Sequence, residues 1–152
     1  MSNAVYELLT LDNVVFKEYL FWSAVLILKM LIMSPMTGFH RFRTQTFANP
    51  EDLLSKKLKV KFDDPHVERV RRAHRNDLEN ILPFFAIGFF YVLINPSVFL
   101  ACNLFRLFAI ARIVHTFVYA VVVIPQPARF LAFGAGLLPS LYMGLQVLLA
   151  TF

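Results

Sequence analysis

Arg72, Arg75, Asn76 and Glu79 lie at relative positions 0, 3, 4 and 7. That spacing puts all four side chains on one face if the segment is helical. Two guanidinium groups, an amide and a carboxylate in one stripe are chemically suited to a small guest that carries carboxylates and an amine. Pattern alone leaves a second reading open. Arg and Glu on adjoining helices also pair with each other to avoid uncompensated charge. The local balance leans toward an anionic guest, because Arg69, Arg71, Arg72 and Arg75 outnumber Glu68, Asp77 and Glu79. Asp77 points off the stripe and suits an internal partner such as Arg112 or Lys29.

Two further sets of residues could do chemistry. Arg112, His115 and Tyr119 repeat the same spacing, at 0, 3 and 7. Tyr119 also fits a packed interior aromatic with a satisfied hydroxyl. Arg129 stands at the expected start of a helix, where free amides and the helix dipole favour an anion. A guanidinium there can favour a thiolate over a thiol, or it can anchor a lipid phosphate at the membrane edge. His74 and His115 lack metal-like spacing to other His, Cys or acidic residues, so no metal is expected. No phosphate-cradling glycine loop, nucleophile elbow or paired-carboxylate motif is present.

The elements that must hold these residues are helices in a membrane. The chain has 152 residues and is 58% hydrophobic, beyond the half or so expected of a soluble domain. We expect one all-α membrane domain of four helices, over about 13–40, 65–94, 96–123 and 127–152, with a loop over about 41–64. Asp64-Pro65 forms a helix start, with Asp as cap and Pro at the first helical position. The helix it opens is roughly 45 Å long, so its charged half reaches past one membrane edge while its apolar half crosses. Pro35 should kink or thin the first helix near its end, and Ala48 to Asp52 should form a turn leading into a short helical piece. Lys29 lies deep in the first span and calls for an acidic partner on another helix.

The net charge is +5, concentrated between Arg41 and Arg75. Beside membrane spans such a segment suits a lipid surface or an acidic solute and not nucleic acid, and the positive-inside rule makes the loop cytosolic. Residues 1–12 lack a basic n-region, so no cleavable signal peptide is expected. Cys102 is the single cysteine, which excludes an intrachain disulfide.

Four stretches together resemble one family: Val67 to Phe84, Phe47 to Asp52, Ala111 to Tyr119, and Pro125 to Arg129. They are similar to the MAPEG superfamily, membrane-associated proteins of eicosanoid and glutathione metabolism. Its glutathione transferase branch is nearest and its prostaglandin E synthase branch next. The resemblance spans nearly the whole chain and is weakest over residues 1–20 and 53–62. It implies a homotrimer of four-helix subunits with glutathione as co-substrate, bound between neighbours near the cytosolic face. Arg41, Arg72, Arg75, Asn76, Glu79, His115, Tyr119 and Arg129 would line that pocket, with Arg129 acting on the thiol. It also implies conjugation of glutathione to hydrophobic electrophiles drawn from the bilayer, with peroxidase action on lipid hydroperoxides as a companion activity. The endoplasmic reticulum membrane is the expected location, and the outer mitochondrial membrane a further one. Two alternatives remain: a prostaglandin-synthase-type isomerase and a non-catalytic lipid-binding member. Phe130 and Phe133 stand where that synthase has a serine and a tyrosine, which favours the transferase. Leu53 replaces a loop cysteine of some vertebrate members, so activation by thiol modification there is not expected.

Overall fold

A computed structural model describes residues 6–152; residues 1–5, part of the segment expected to lack a signal peptide, lie outside it. Four long helices follow in order: α1 (Val14–Thr44), α2 (Pro65–Leu93), α3 (Val98–Thr116, prolonged by a π-helical turn Phe117–Val121) and α4 (Ala128–Thr151). No strand occurs among the described residues. Three of these helices are long and apolar enough to cross a membrane: Val14–Thr44, Val98–Val121 and Ala128–Thr151. Arginine and acidic residues in the first half of α2 set it apart from the other three.

The caps show why the helices begin where they do. Asn13 Oδ1 accepts from the amides of Val15 and Phe16 at 2.9 and 3.3 Å. Asp64 Oδ1 accepts from His66 and Val67 at 3.0 and 3.1 Å, with Pro65 at the first helical position. These bonds, Val67's foremost, hold the Asp64 carboxyl below its usual range despite its burial. The Asp64-Pro65 start is therefore as expected, and Pro50–Asp52 forms a short 3₁₀ turn where a helical piece was anticipated.

Three boundaries differ from the sequence expectation. Helix α1 continues through Pro35 to Thr44 and stops only where Gln45 turns left-handed, at φ 52°. Helix α3 starts at Val98, not at Pro96. Asn95 is left-handed, at φ 51°, and the first helical bond runs from the Ala101 amide to the Ser97 carbonyl. Regular α-helix in α3 ends at Thr116, short of the expected 123, because the following residues take the wider π spacing up to Val121.

The bundle core is aromatic. Phe84 and Phe108 stack with centroids 4.0 Å apart, Phe105 meets Phe84 edge-on, and the Tyr19 hydroxyl donates to the Phe85 carbonyl at 2.7 Å. A Cβ on Gly88 would lie 2.9 Å from the Tyr19 ring, so only glycine lets α1 and α2 approach this closely. Outside this core, large apolar side chains such as Leu28, Leu31, Ile32, Phe99, Leu138 and Leu148 are exposed along the helices. Such a surface suits hydrocarbon, not water.

The charged residues inside the bundle are paired. Asp77 is fully buried and accepts from Arg112 Nη2 at 2.7 Å through Oδ1. Its Oδ2 accepts from Lys29 Nζ, and from Thr116 Oγ1 at 3.3 Å. Both partners anticipated for Asp77 are thus engaged, and the acid that Lys29 requires is on α2. Further along, Arg106 lies 3.6 Å from Glu18, which also accepts from the Trp22 indole at 3.0 Å.

Candidate functional site: a cationic cleft at one end of the bundle

The first half of α2, the end of α3 and the start of α4 meet at one end of the molecule. Between them lies a cleft of about 430 Å³, lined by Arg72, Arg75, Asn76, Glu79, His115, Tyr119, Gln126, Arg129, Phe130 and Phe133. Sites for small ligands commonly occupy roughly 300–1,000 Å³. Seven of the eight residues expected at the site line this one cleft. The helical spacing explains the convergence, since positions 72, 75, 76 and 79 form one stripe of α2 and 115 and 119 one stripe of α3 and its π turn.

Arg41 is the exception. It lines a separate hollow of about 240 Å³ with Gly38, Phe42, Phe47, Asp52 and Leu54, between the end of α1 and the loop that follows. Gln126, Phe130 and Phe133 were not anticipated as lining residues. Gln126 belongs to the turn before α4, and its Oε1 accepts from the Phe130 amide at 3.1 Å. Phe130 and Phe133 lie one and four residues after Arg129 on the same helix, and their place in the cleft is visible only once α4 is set against α2.

Tyr119 organises the cationic wall. The Arg129 guanidinium sits over its ring, 4.5 Å from the centroid, in cation–π geometry. Arg72 Nε donates to its hydroxyl at 3.4 Å. His115 meets the same ring edge-on, with centroids 5.7 Å apart. The expected one-face relation of His115 and Tyr119 is therefore realised at the cleft, while Arg112, on the same stripe, is buried behind it.

Charge is unbalanced here. Among the described residues, Arg72, Arg75, Arg129 and Glu79 form no ion pair; the bridges present are Lys29–Asp77, Arg71–Glu68, Arg106–Glu18 and Arg112–Asp77. A salt-bridged helical seam requires those guanidinium groups to meet acids of the chain, and they do not. Three cations and one carboxylate face a common space, with Asn76 and His115 beside them. This arrangement can bind a multiply anionic guest, accept one amine at Glu79 and favour a negative atom beside Arg129. No group of three or more His, Cys, Asp or Glu suited to a metal occurs among the described residues.

A helical bundle with an apolar outer surface and an anion-receptive cleft at one end defines a class: membrane proteins with a site for a charged solute. Residues 19–149 match the MAPEG family, and the chain belongs to it. It is 42% identical over 144 residues to Microsomal glutathione S-transferase 1 of Homo sapiens, covering 91% of this chain and 92% of that protein. The protein of that name from Sus scrofa is 43% identical over 143 residues, with the same coverage. Prostaglandin E synthase of Bos taurus is 40% identical over 138 residues, covering 90% of each chain.

Proposed function

We propose that this chain is a membrane-bound glutathione transferase. It joins the sulfur of glutathione to hydrophobic electrophiles dissolved in the bilayer. The observation that carries this reading is the set of unpaired cations around one cleft, in a chain more than two-fifths identical to a microsomal glutathione S-transferase over 91% of its length. Glutathione offers two carboxylates, two amide units, one amine and one thiol. Arg72 and Arg75 take carboxylates, Glu79 takes the γ-glutamyl amine, and Asn76 takes an amide or carboxylate oxygen. His115 and Tyr119 close the floor of the site.

Arg129 is the catalytic residue in this proposal. Its positive charge favours the thiolate, the nucleophilic form of the thiol. The thiol proton passes to water, the sulfur lone pair forms the new S–C bond, and the electrophile releases its leaving group with the bonding electrons. A thiolate can likewise attack the terminal oxygen of a lipid hydroperoxide. The O–O bond breaks and the lipid leaves as an alkoxide that takes up a proton. A second glutathione converts the resulting sulfenic acid to glutathione disulfide and water, so a companion peroxidase activity belongs to this proposal. Phe130 and Phe133, beside Arg129 in the cleft, present carbon where an isomerase acting on an endoperoxide calls for hydroxyl groups. This favours the transferase over the prostaglandin synthase reading.

The proposal extends to the whole domain, residues 1–152, as a homotrimer in the endoplasmic reticulum membrane. Four spans are proposed, the apolar half of α2 completing the three apolar helices, with residues 41–64 on the cytosolic side. Arg41 lies off its own subunit's cleft, so in this proposal the site role that the resemblance gives it is met at the cleft of a neighbouring copy. Conjugation of glutathione to chlorodinitrobenzene by the purified chain tests the reading. Turnover above the uncatalysed rate supports it; a chain that binds lipid yet conjugates nothing would make it a non-catalytic family member.

A further inference from the structure

The buried cluster and the open cleft share one atom. Arg112 Nη2 donates to Asp77 Oδ1 at 2.7 Å and to Asn76 Oδ1 at 2.8 Å, and it lies 3.4 Å from His115 Nδ1. Asn76 and His115 both line the cleft. Arg112 is fully buried and lines none of it.

A guanidinium can donate hydrogen bonds but cannot accept them. This one-way chemistry decides two orientations that heavy-atom positions alone leave ambiguous. The Asn76 amide must turn its oxygen to Arg112, so its NH₂ group is left for the cleft. Among the described residues that NH₂ has no protein acceptor. The two hydrogens on Nη2 are taken by Asp77 and Asn76. A hydrogen on His115 Nδ1 would then point at a donor, so the ring proton belongs on Nε2. Arg112 is itself held in place. Asp77 is clamped from its other oxygen by Lys29 and Thr116. A Cβ on Gly136 would come within 3.3 Å of Arg112 Cδ, so α4 closes tightly over the side chain. Arg112 Nε and Nη1 have no partner, which leaves Nη2 as the one anchored end of the guanidinium.

We propose that Arg112 is a positioning residue for the cleft: it fixes the Asn76 amide and the His115 tautomer so that both offer N–H donors to the ligand. With Arg72, Arg75 and Arg129, the site becomes an array of donors with one carboxylate, Glu79. It selects a guest rich in acceptor oxygens that has a single cationic group. The proposal rests on the cleft being the glutathione site for its affinity test, but its tautomer test needs no ligand.

Two measurements on the full chain in detergent decide it. The first is calorimetric titration of glutathione into the wild type, Asn76→Ala, Arg112→Gln and the double variant. If Arg112 acts through Asn76, each single change weakens binding about tenfold and the double change adds little. Weakening of about a hundredfold in the double variant would show independent roles and overturn the proposal. Asn76→Asp is the companion should Arg112→Gln fail to fold. It keeps the bond to Arg112 but turns an oxygen to the cleft, so binding falls about tenfold or more, and unaltered affinity would count against the donor role. The second measurement is imidazole ¹⁵N NMR, with His115 assigned through His115→Gln. The wild type should carry its proton on Nε2, and a proton on Nδ1 would overturn the proposal even if glutathione did not bind at all.

Discussion

The interior cluster of Lys29, Asp77 and Arg112 and the cleft of Arg72, Arg75, Glu79 and Arg129 use the same residue types in opposite ways. In the first, every charged side chain meets an opposite charge, and Asp77 accepts from three side chains. In the second, no charged side chain pairs with another. Burial explains the contrast. A charge in the bundle interior is tolerated only when paired and hydrogen-bonded, whereas Arg72, Arg75 and Glu79 are exposed at the end of the bundle, where water or a ligand can serve them. Paired charge here joins helices; unpaired charge faces the open cleft.

Four changes would break or sharpen this contrast. Asp77→Ala should have the largest effect, because it strands two cations in the interior. It should cost about 3–5 kcal/mol, seen as poor recovery and a lowered thermal midpoint; a well-behaved variant would refute the pairing. Arg129→Ala should leave the assembly and midpoint intact while turnover falls about a hundredfold. Undiminished turnover would remove the catalytic role of that guanidinium. Arg75→Ala should weaken glutathione binding about tenfold with little loss of stability, as read by calorimetry. The mildest test is ionic strength. Raising salt from about 0.1 to 1 M should weaken glutathione binding several-fold, since the cleft is open to counterions, yet barely move the thermal midpoint set by the interior cluster. Equal sensitivity of the two would erase the distinction.

Much of this arrangement is legible in the sequence because it follows helical geometry. The stripe from Arg72 to Glu79 needs only a continuous helix, which Asp64 and Pro65 initiate. Asp77 falls off that stripe, so its burial against Lys29 and Arg112 follows from the same periodicity. The parts that stay hidden depend on how helices meet. Gln126 carries no chemical signature and enters the cleft only because the turn before α4 folds over it. The π-helical turn Phe117–Val121 has no marker in residue type, yet it sets the angle of Tyr119 beneath Arg129. Proline is a weak guide to the boundaries. Pro35 lies inside α1, which carries on through it to Thr44, past the expected end near 40. Pro96 suggests a start for α3, but left-handed Asn95 delays it to Val98. Arg41 reads as a site residue only through family resemblance, and within one chain it belongs to a different hollow.

The most direct test of the central claim is a structure of the purified protein with glutathione at millimolar concentration. The account predicts the tripeptide in the cleft, its carboxylates at Arg72 and Arg75, its amine at Glu79 and its sulfur within about 3.5 Å of the Arg129 guanidinium. An empty cleft, or a tripeptide whose sulfur lies far from Arg129, would contradict it.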